Sequence, residues 1–244
     1  GSGGGYPPGG GHPPGGGFPP GGGFPPGGGV PPGGGFPPGG GFPPPPEEPA
    51  PWERRRALGF LPALVETWKR ASLDPKQFFA RLPTRGIGDA FLYGLILSSI
   101  GTIAAGLWSV LLSGVTGEDA AVGLAQILGA PIFAAISLFV GAGLVHLGCM
   151  VFGCADNGFD ATFRAVAYAQ GPQILAVVPV VGGLFAAFWT AVITVQGIVA
   201  MQRTTTGKAI GAVVVPGLAL VFCCGCALAL AIGSFAGSLE AMQS

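Results

Sequence analysis

Six side chains carry the strongest chemical potential in this sequence: His146, Cys149, Cys154, Cys223, Cys224 and Cys226. In "HLGC", His146 and Cys149 are three residues apart and share one face of a helix. The "CCGC" run at 223–226 is dense enough to approach them in three dimensions. The chemistry on offer is soft-metal ligation or thiol redox, with His146, Cys149, Cys223 and Cys226 as the metal candidates. Against it, no paired C-x-x-C spacing occurs, and the neighbouring sequence has no loops to aim ligands. Cysteine also serves as a small apolar packing residue, which accounts for these positions more simply. Lipidation of Cys149 or Cys154 is a third use. An interior histidine is more often a hydrogen-bonded residue than a ligand.

Other chemistry finds less support. "TTTGK" at 204–208 lacks the first glycine and the preceding strand of a phosphate loop, so Thr206 reads as a helix cap and Lys208 as an anchor at the headgroups. Ser98, Ser99, Thr190 and Thr194 lie in apolar runs and can bond back to helix backbone. No Ser-His-Asp order and no paired carboxylates share one membrane depth. No catalytic residue and no cofactor motif emerges, and the chain reads as a non-enzyme. Gln170, Gln173 and Gln196 are the strong interior polar groups. They suit interhelical hydrogen bonds, or the lining of a small-solute transporter.

The elements that hold these residues are set by composition. Charged residues make up 9% of the chain and the mean hydropathy is +0.61, against about 25% charged for a soluble domain. Residues 52–85 carry eight basic and three acidic side chains, whereas residues 86–244 carry three basic and six acidic ones. The second stretch reads as lipid-solvated helix. Three parts follow. Residues 1–46 repeat Gly-Gly-Gly, one large residue and Pro-Pro with a period of six. This composition cannot build a core and predicts a disordered tail with short polyproline II pieces, either a spacer or a row of aromatic stickers for weak self-association or a proline-reading partner. The chain opens on "GSGGG" without an initiator Met, so its true start is expected to lie elsewhere, and no cleavable signal peptide is expected before the repeat.

Residues 47–86 read as a juxtamembrane section with two short amphipathic helices. One covers about 62–71, and the other opens at "LDPKQFF", where Asp74 can cap and Pro75 suits the first position. Basic and aromatic residues interleave here, and Trp68, Lys69, Arg70, Phe78, Phe79 and Arg81 are assigned to the membrane surface. The adjacent spans favour the bilayer over nucleic acid as the partner.

Residues 87–244 predict an all-α membrane bundle of five helices, at about 90–112, 127–152, 164–181, 183–201 and 209–236. With five spans, all 11 basic residues fall on one side, which predicts a cytoplasmic N-terminus and an outside C-terminus. Asp160 and Arg164 have the spacing of an ion pair at the edge of span three. Pro172 kinks that span, and Pro179, Gly182 and Gly183 turn it back into span four as a helical hairpin. In span five, Gly225, Ala229, Gly233 and Gly237 recur every four residues and predict a close helix–helix face, within the chain or between two copies.

"WKRASLDPKQFFARLP" and "FDATFRAVAYAQGPQILAVVPVVGGLFAAFWTAVITVQGIVAMQRTTTGKAI" resemble the Yip domain family, membrane proteins named for interaction with Rab-type GTPases. The resemblance covers about 64–232, and the "P..GG" turn, "QGI" and "TTGKA" match its prokaryotic branch. It implies a five-span bundle with a cytosolic N-terminus in a bacterial inner membrane. Eukaryotic members imply vesicle traffic and membrane shaping. The "DLYPP"-like acidic motif of those members is missing, so Rab binding is not implied. A membrane-organising or partner-recruiting scaffold is the expected role.

Overall fold

The computed structural model describes residue 1 and residues 46–117, 119–179 and 181–219, and every regular element among them is helical. A 3-10 turn, Pro51–Arg54, runs into the single turn α1, Arg55–Leu58. Gly59, at φ 87°, redirects the chain in a conformation that a side chain would strain, and α2 follows as Phe60–Leu73. This is the predicted helix at 62–71, longer by two residues at each end. Asp74 Oδ1 accepts a hydrogen bond from Gln77 N at 3.3 Å, and Pro75 opens α3, Pro75–Arg81.

Next come α4, Gly88–Thr116, and α5, Ala120–Val151. Gly117 ends α4 in the left-handed region, and the Asp119 carboxylate caps α5 by accepting from Ala121 N at 2.9 Å. That cap explains why α5 starts seven residues before the predicted 127: hydropathy alone left residues 120–126 in the turn. Gly106 and Gly123 let the two helices touch backbone to backbone. A Cβ on either would stand 2.8 or 2.6 Å from the carbonyl oxygen of the other.

The third apolar segment departs from the predicted span at 164–181. Helix α6 runs Gly158–Tyr168, the chain breaks, and a 3-10 stretch covers Gly171–Val177. Pro172 explains the break, because it lacks an N–H and its ring obstructs helical continuation. Arg164 does not open the segment but lies inside α6, with its side chain buried. After a turn at Pro179, α7 runs Val181–Met201 with Gly182 and Gly183 in its first turn. Helix α8, Thr206–Ala219, is the described beginning of the span predicted at 209–236. The repeat residues 2–45 and the rest of that last span, including Gly225, Ala229, Gly233 and Gly237, lie outside the described residues.

Among the described residues, α4, α5 and α7 are long and apolar enough to cross a membrane. The core lies where the juxtamembrane section meets α4, α6 and α7. Trp52, Phe79, Tyr93, Phe163 and Tyr168 are fully buried there, with ring centroids 5.2 Å apart for Tyr93–Tyr168 and 5.4 Å for Phe78–Tyr168.

Candidate functional site

The densest polar constellation joins the juxtamembrane section to α6 and the start of α4. The Glu53 carboxylate forms a salt bridge with Arg164 Nη2 and accepts from Tyr168 Oη–H at 2.8 Å. Arg164 Nη1 donates to the Gly86 carbonyl at 2.6 Å and to that of Arg85 at 3.3 Å. Asp160 Oδ2 accepts from the N–H of Gly86 at 3.1 Å. Asp160 and Arg164 therefore do not form the predicted ion pair. They grip the two backbone groups of Gly86, and Glu53 supplies the carboxylate that a buried guanidinium requires. The side chains of Arg164 and Glu53 are only 3% and 15% exposed.

Trp52 fastens the same region from the other flank. Its backbone N–H donates to Thr67 Oγ1 at 2.8 Å and its indole Nε1–H to the Asp89 carbonyl at 2.9 Å. Arg55 bridges Asp89 Oδ1 at 2.6 Å and lies 4.8 Å over the Trp52 ring. These contacts act as a mechanical latch. The cation and the phenol share one carboxylate oxygen, Glu53 Oε1.

A second polar knot ties α5, α6 and the end of α7. Gln202 is fully buried, and its Nε2 donates to Thr162 Oγ1 and to the Gly158 carbonyl, both at 2.8 Å. Its Oε1 accepts from Asn157 N at 2.7 Å. His146 Nδ1 stands 3.0 Å from the same Thr162 hydroxyl. Cys149 and Cys154 are buried free thiols nearby, and Cys154 N donates to the Cys149 carbonyl at 2.7 Å. Among the described residues, no group of three or more His, Cys, Asp or Glu side chains could hold a metal. Cys223 and Cys226 lie outside those residues. Lys208 turns back to the Gly153 carbonyl at 3.0 Å.

The residues assigned to the membrane surface separate by type. Phe78 and Phe79 turn inward, and the Phe79 ring packs over Gly197 of α7. Trp68 is partly buried, with its indole donating to the Gly171 carbonyl at 3.0 Å. Lys69 is exposed. Arg70 pairs with Glu66 at 2.8 Å and with Glu48 at 3.4 Å, and Arg81 reaches Glu48 at 4.0 Å. All four tryptophans of the chain donate to backbone carbonyls: Trp189 to Ser72 at 3.1 Å and Trp108 to Val177 at 3.1 Å complete the set. Two of them, Trp68 and Trp108, serve the broken third segment, where irregular backbone leaves carbonyls that lipid cannot satisfy.

Gln170 links helices as predicted for an interior amide: its Nε2 donates to the Val166 carbonyl at 3.1 Å and its Oε1 accepts from Ser98 Oγ at 3.3 Å. Gln173 differs. With Thr102 and Gln126 it borders a hollow of about 490 Å³ between α4, α5 and the 3-10 stretch. No hydrogen bond from the side-chain amide of Gln126 or Gln173 is formed among the described residues; the Gln173 backbone N–H donates to the Gln170 carbonyl at 3.0 Å.

Sequence reasoning missed Trp52, Glu53, Asn157 and Gln202. A buried arginine within an apolar stretch signals a missing carboxylate, and "PWE" ahead of three arginines held one of the unclaimed ones.

Comparison with curated proteins gave no match, and comparison with solved structures gave none either. The Yip1 domain model matches residues 69–228. The matched stretch opens within α2, so Arg164 and Tyr168 fall inside it while Trp52 and Glu53 precede it. With well over half of its length matched and helices built to cross a bilayer, the chain is a membrane protein that belongs to the Yip1 domain family.

Proposed function

We propose that the protein is a non-enzymatic membrane scaffold that holds its N-terminal section against the bundle and recruits a protein partner through it. The observation that carries this reading is the latch: Glu53 and Trp52, just after the repeat tail, are fixed to α6 and α4 by buried polar contacts. A latched platform holds residues 51–54, which follow the repeat, against the bundle. In the same reading the five apolar segments are membrane-inserted, and all 11 basic residues lie on one side. That side is the cytoplasmic one, with the C-terminus outside. The membrane is a bacterial inner membrane, the remaining contacts are with lipid or with a second copy, and nucleic acid is not a partner.

The test is mild-detergent affinity capture with the full chain, with residues 1–46 deleted, and with Glu53→Ala. A scaffold retains a defined partner on the full chain and loses it in both variants. A second reading, a small-solute transporter, would draw on the side-chain amides of Gln126 and Gln173 that border the hollow. Solute flux through reconstituted protein that disappears with Gln173→Leu, in a variant that keeps its helicity, would replace the scaffold reading.

A further inference from the structure

The turn between the 3-10 stretch Gly171–Val177 and α7 is apolar and stops short of the far end of the bundle. Its level is fixed by Trp108, whose indole donates to the Val177 carbonyl at 3.1 Å. Trp108 lies eight residues before Thr116, the last residue of α4. At the helical rise, the turn is therefore about 12 Å short of the end that α4 and α5 share. The α4–α5 connection carries Glu118 and Asp119, the acids expected at a water-facing surface. The last turns of α4 and the first of α5 expose Leu111, Val115 and Val122. If water began at the level of the shorter turn, these side chains would stand in it.

We propose that residues 171–189 form a re-entrant hairpin whose tip stays within the hydrocarbon of the bilayer and meets lipid chains, not water. The tip is built for that solvent. No Asp, Glu, Lys or Arg occurs between Arg164 and Arg203. Val178, Val181 and Leu184 are exposed and offer only apolar surface. Among the described residues of the turn, the backbone N–H groups are paired from within. Val178 N donates to Leu175 O at 2.9 Å, Val181 N to Pro179 O at 2.7 Å, and Gly182 N to Val178 O at 3.2 Å. The Val177 carbonyl is taken by Trp108. Irregular backbone survives at membrane depth only when its polar groups are paired in this way. Gly182 closes the bend, since a Cβ there would overlap the Leu175 carbonyl. Both ends of the hairpin return to the side they came from, so the sidedness of the remaining segments is unchanged.

The proposal rests on the reading that the bundle is bilayer-embedded, and the test separates the two. A fluorophore is attached to Val178→Cys, Val181→Cys or Gly117→Cys in full-length protein whose native cysteines are replaced. Each is reconstituted with phosphatidylcholine brominated at mid-chain or unbrominated. The account expects the labels at positions 178 and 181 to be quenched several-fold more than the label at 117. It also expects only the label site at 117 to react with a water-soluble thiol reagent. Quenching is blind to orientation, so inverted insertion leaves this result intact. Equal, weak quenching at all three sites, with 178 and 181 open to the aqueous reagent, would place the tip at the surface and overturn the proposal. Lack of quenching at an additional site on the α5 surface, Ile136→Cys, would instead overturn bilayer embedding itself.

Discussion

The two ends of this bundle are held together by different physics. Around α6, charged and amide side chains interlock: Glu53 with Arg164 and Tyr168, and Gln202 with Asn157 and Thr162. Toward the α4–α5 turn, contact comes from missing side chains, as where Gly106 and Gly123 meet backbone to backbone. The first end resists by specific hydrogen bonds in a dry setting, and the second by fit. One end should therefore fail when a partner is removed, and the other when volume is added.

The largest effect is expected at the latch. Glu53→Ala leaves the Arg164 guanidinium buried without its carboxylate, and should destabilise the protein by about 3–5 kcal/mol in a detergent unfolding titration. Adding Arg164→Met should recover much of that loss, because removing both partners of a buried pair is far cheaper than removing one. A double variant as unstable as Glu53→Ala alone would mean that Arg164 is held mainly by the Gly86 and Arg85 carbonyls.

Close approach between α5 and α8 comes next. A side chain on Gly148 would collide with the Ala212 carbonyl, so Gly148→Leu should cost about 1–3 kcal/mol through overpacking. Its neighbour Leu147 is 58% exposed on the outer surface. Leu147→Ala should change stability far less, since lipid tails solvate leucine as well as a helix does. Similar losses for the two would refute the tight contact.

A smaller effect tests where fit and hydrogen bonding meet. Trp108→Phe keeps the ring but strands the Val177 carbonyl, at about 1–3 kcal/mol if lipid surrounds it and near zero if water can reach it.

Much of this architecture is legible in the sequence. Mean hydropathy and the scarcity of charge announce membrane helices, and α4 and α7 lie within a few residues of the predicted spans. Asp74 and Pro75 announce the start of α3 because capping is a local interaction. The third segment was harder. Pro172 marks a break, but whether the chain resumes as α-helix or 3-10 depends on Trp68 and Trp108, which take up its carbonyls from 69 to 103 residues away. The Asp160–Arg164 pairing follows from local spacing, yet the distant Glu53 outcompetes Asp160 for the guanidinium. Phe78 and Phe79 suit a membrane surface by type, and only the glycine at position 197 shows that a ring can be accommodated against α7 instead. Long-range partners of polar and aromatic groups are what a linear pattern leaves out.

Amide hydrogen exchange on the reconstituted protein, with and without Glu53→Ala, tests the central claim most directly. The account predicts that the variant loses protection across α2, α3 and α6, while the α4–α5 amides around Gly106 and Gly123 keep theirs. Unchanged protection in α2 and α3 would contradict the latch. Equal loss throughout α4 and α5 would contradict the division of the bundle into two independently held ends.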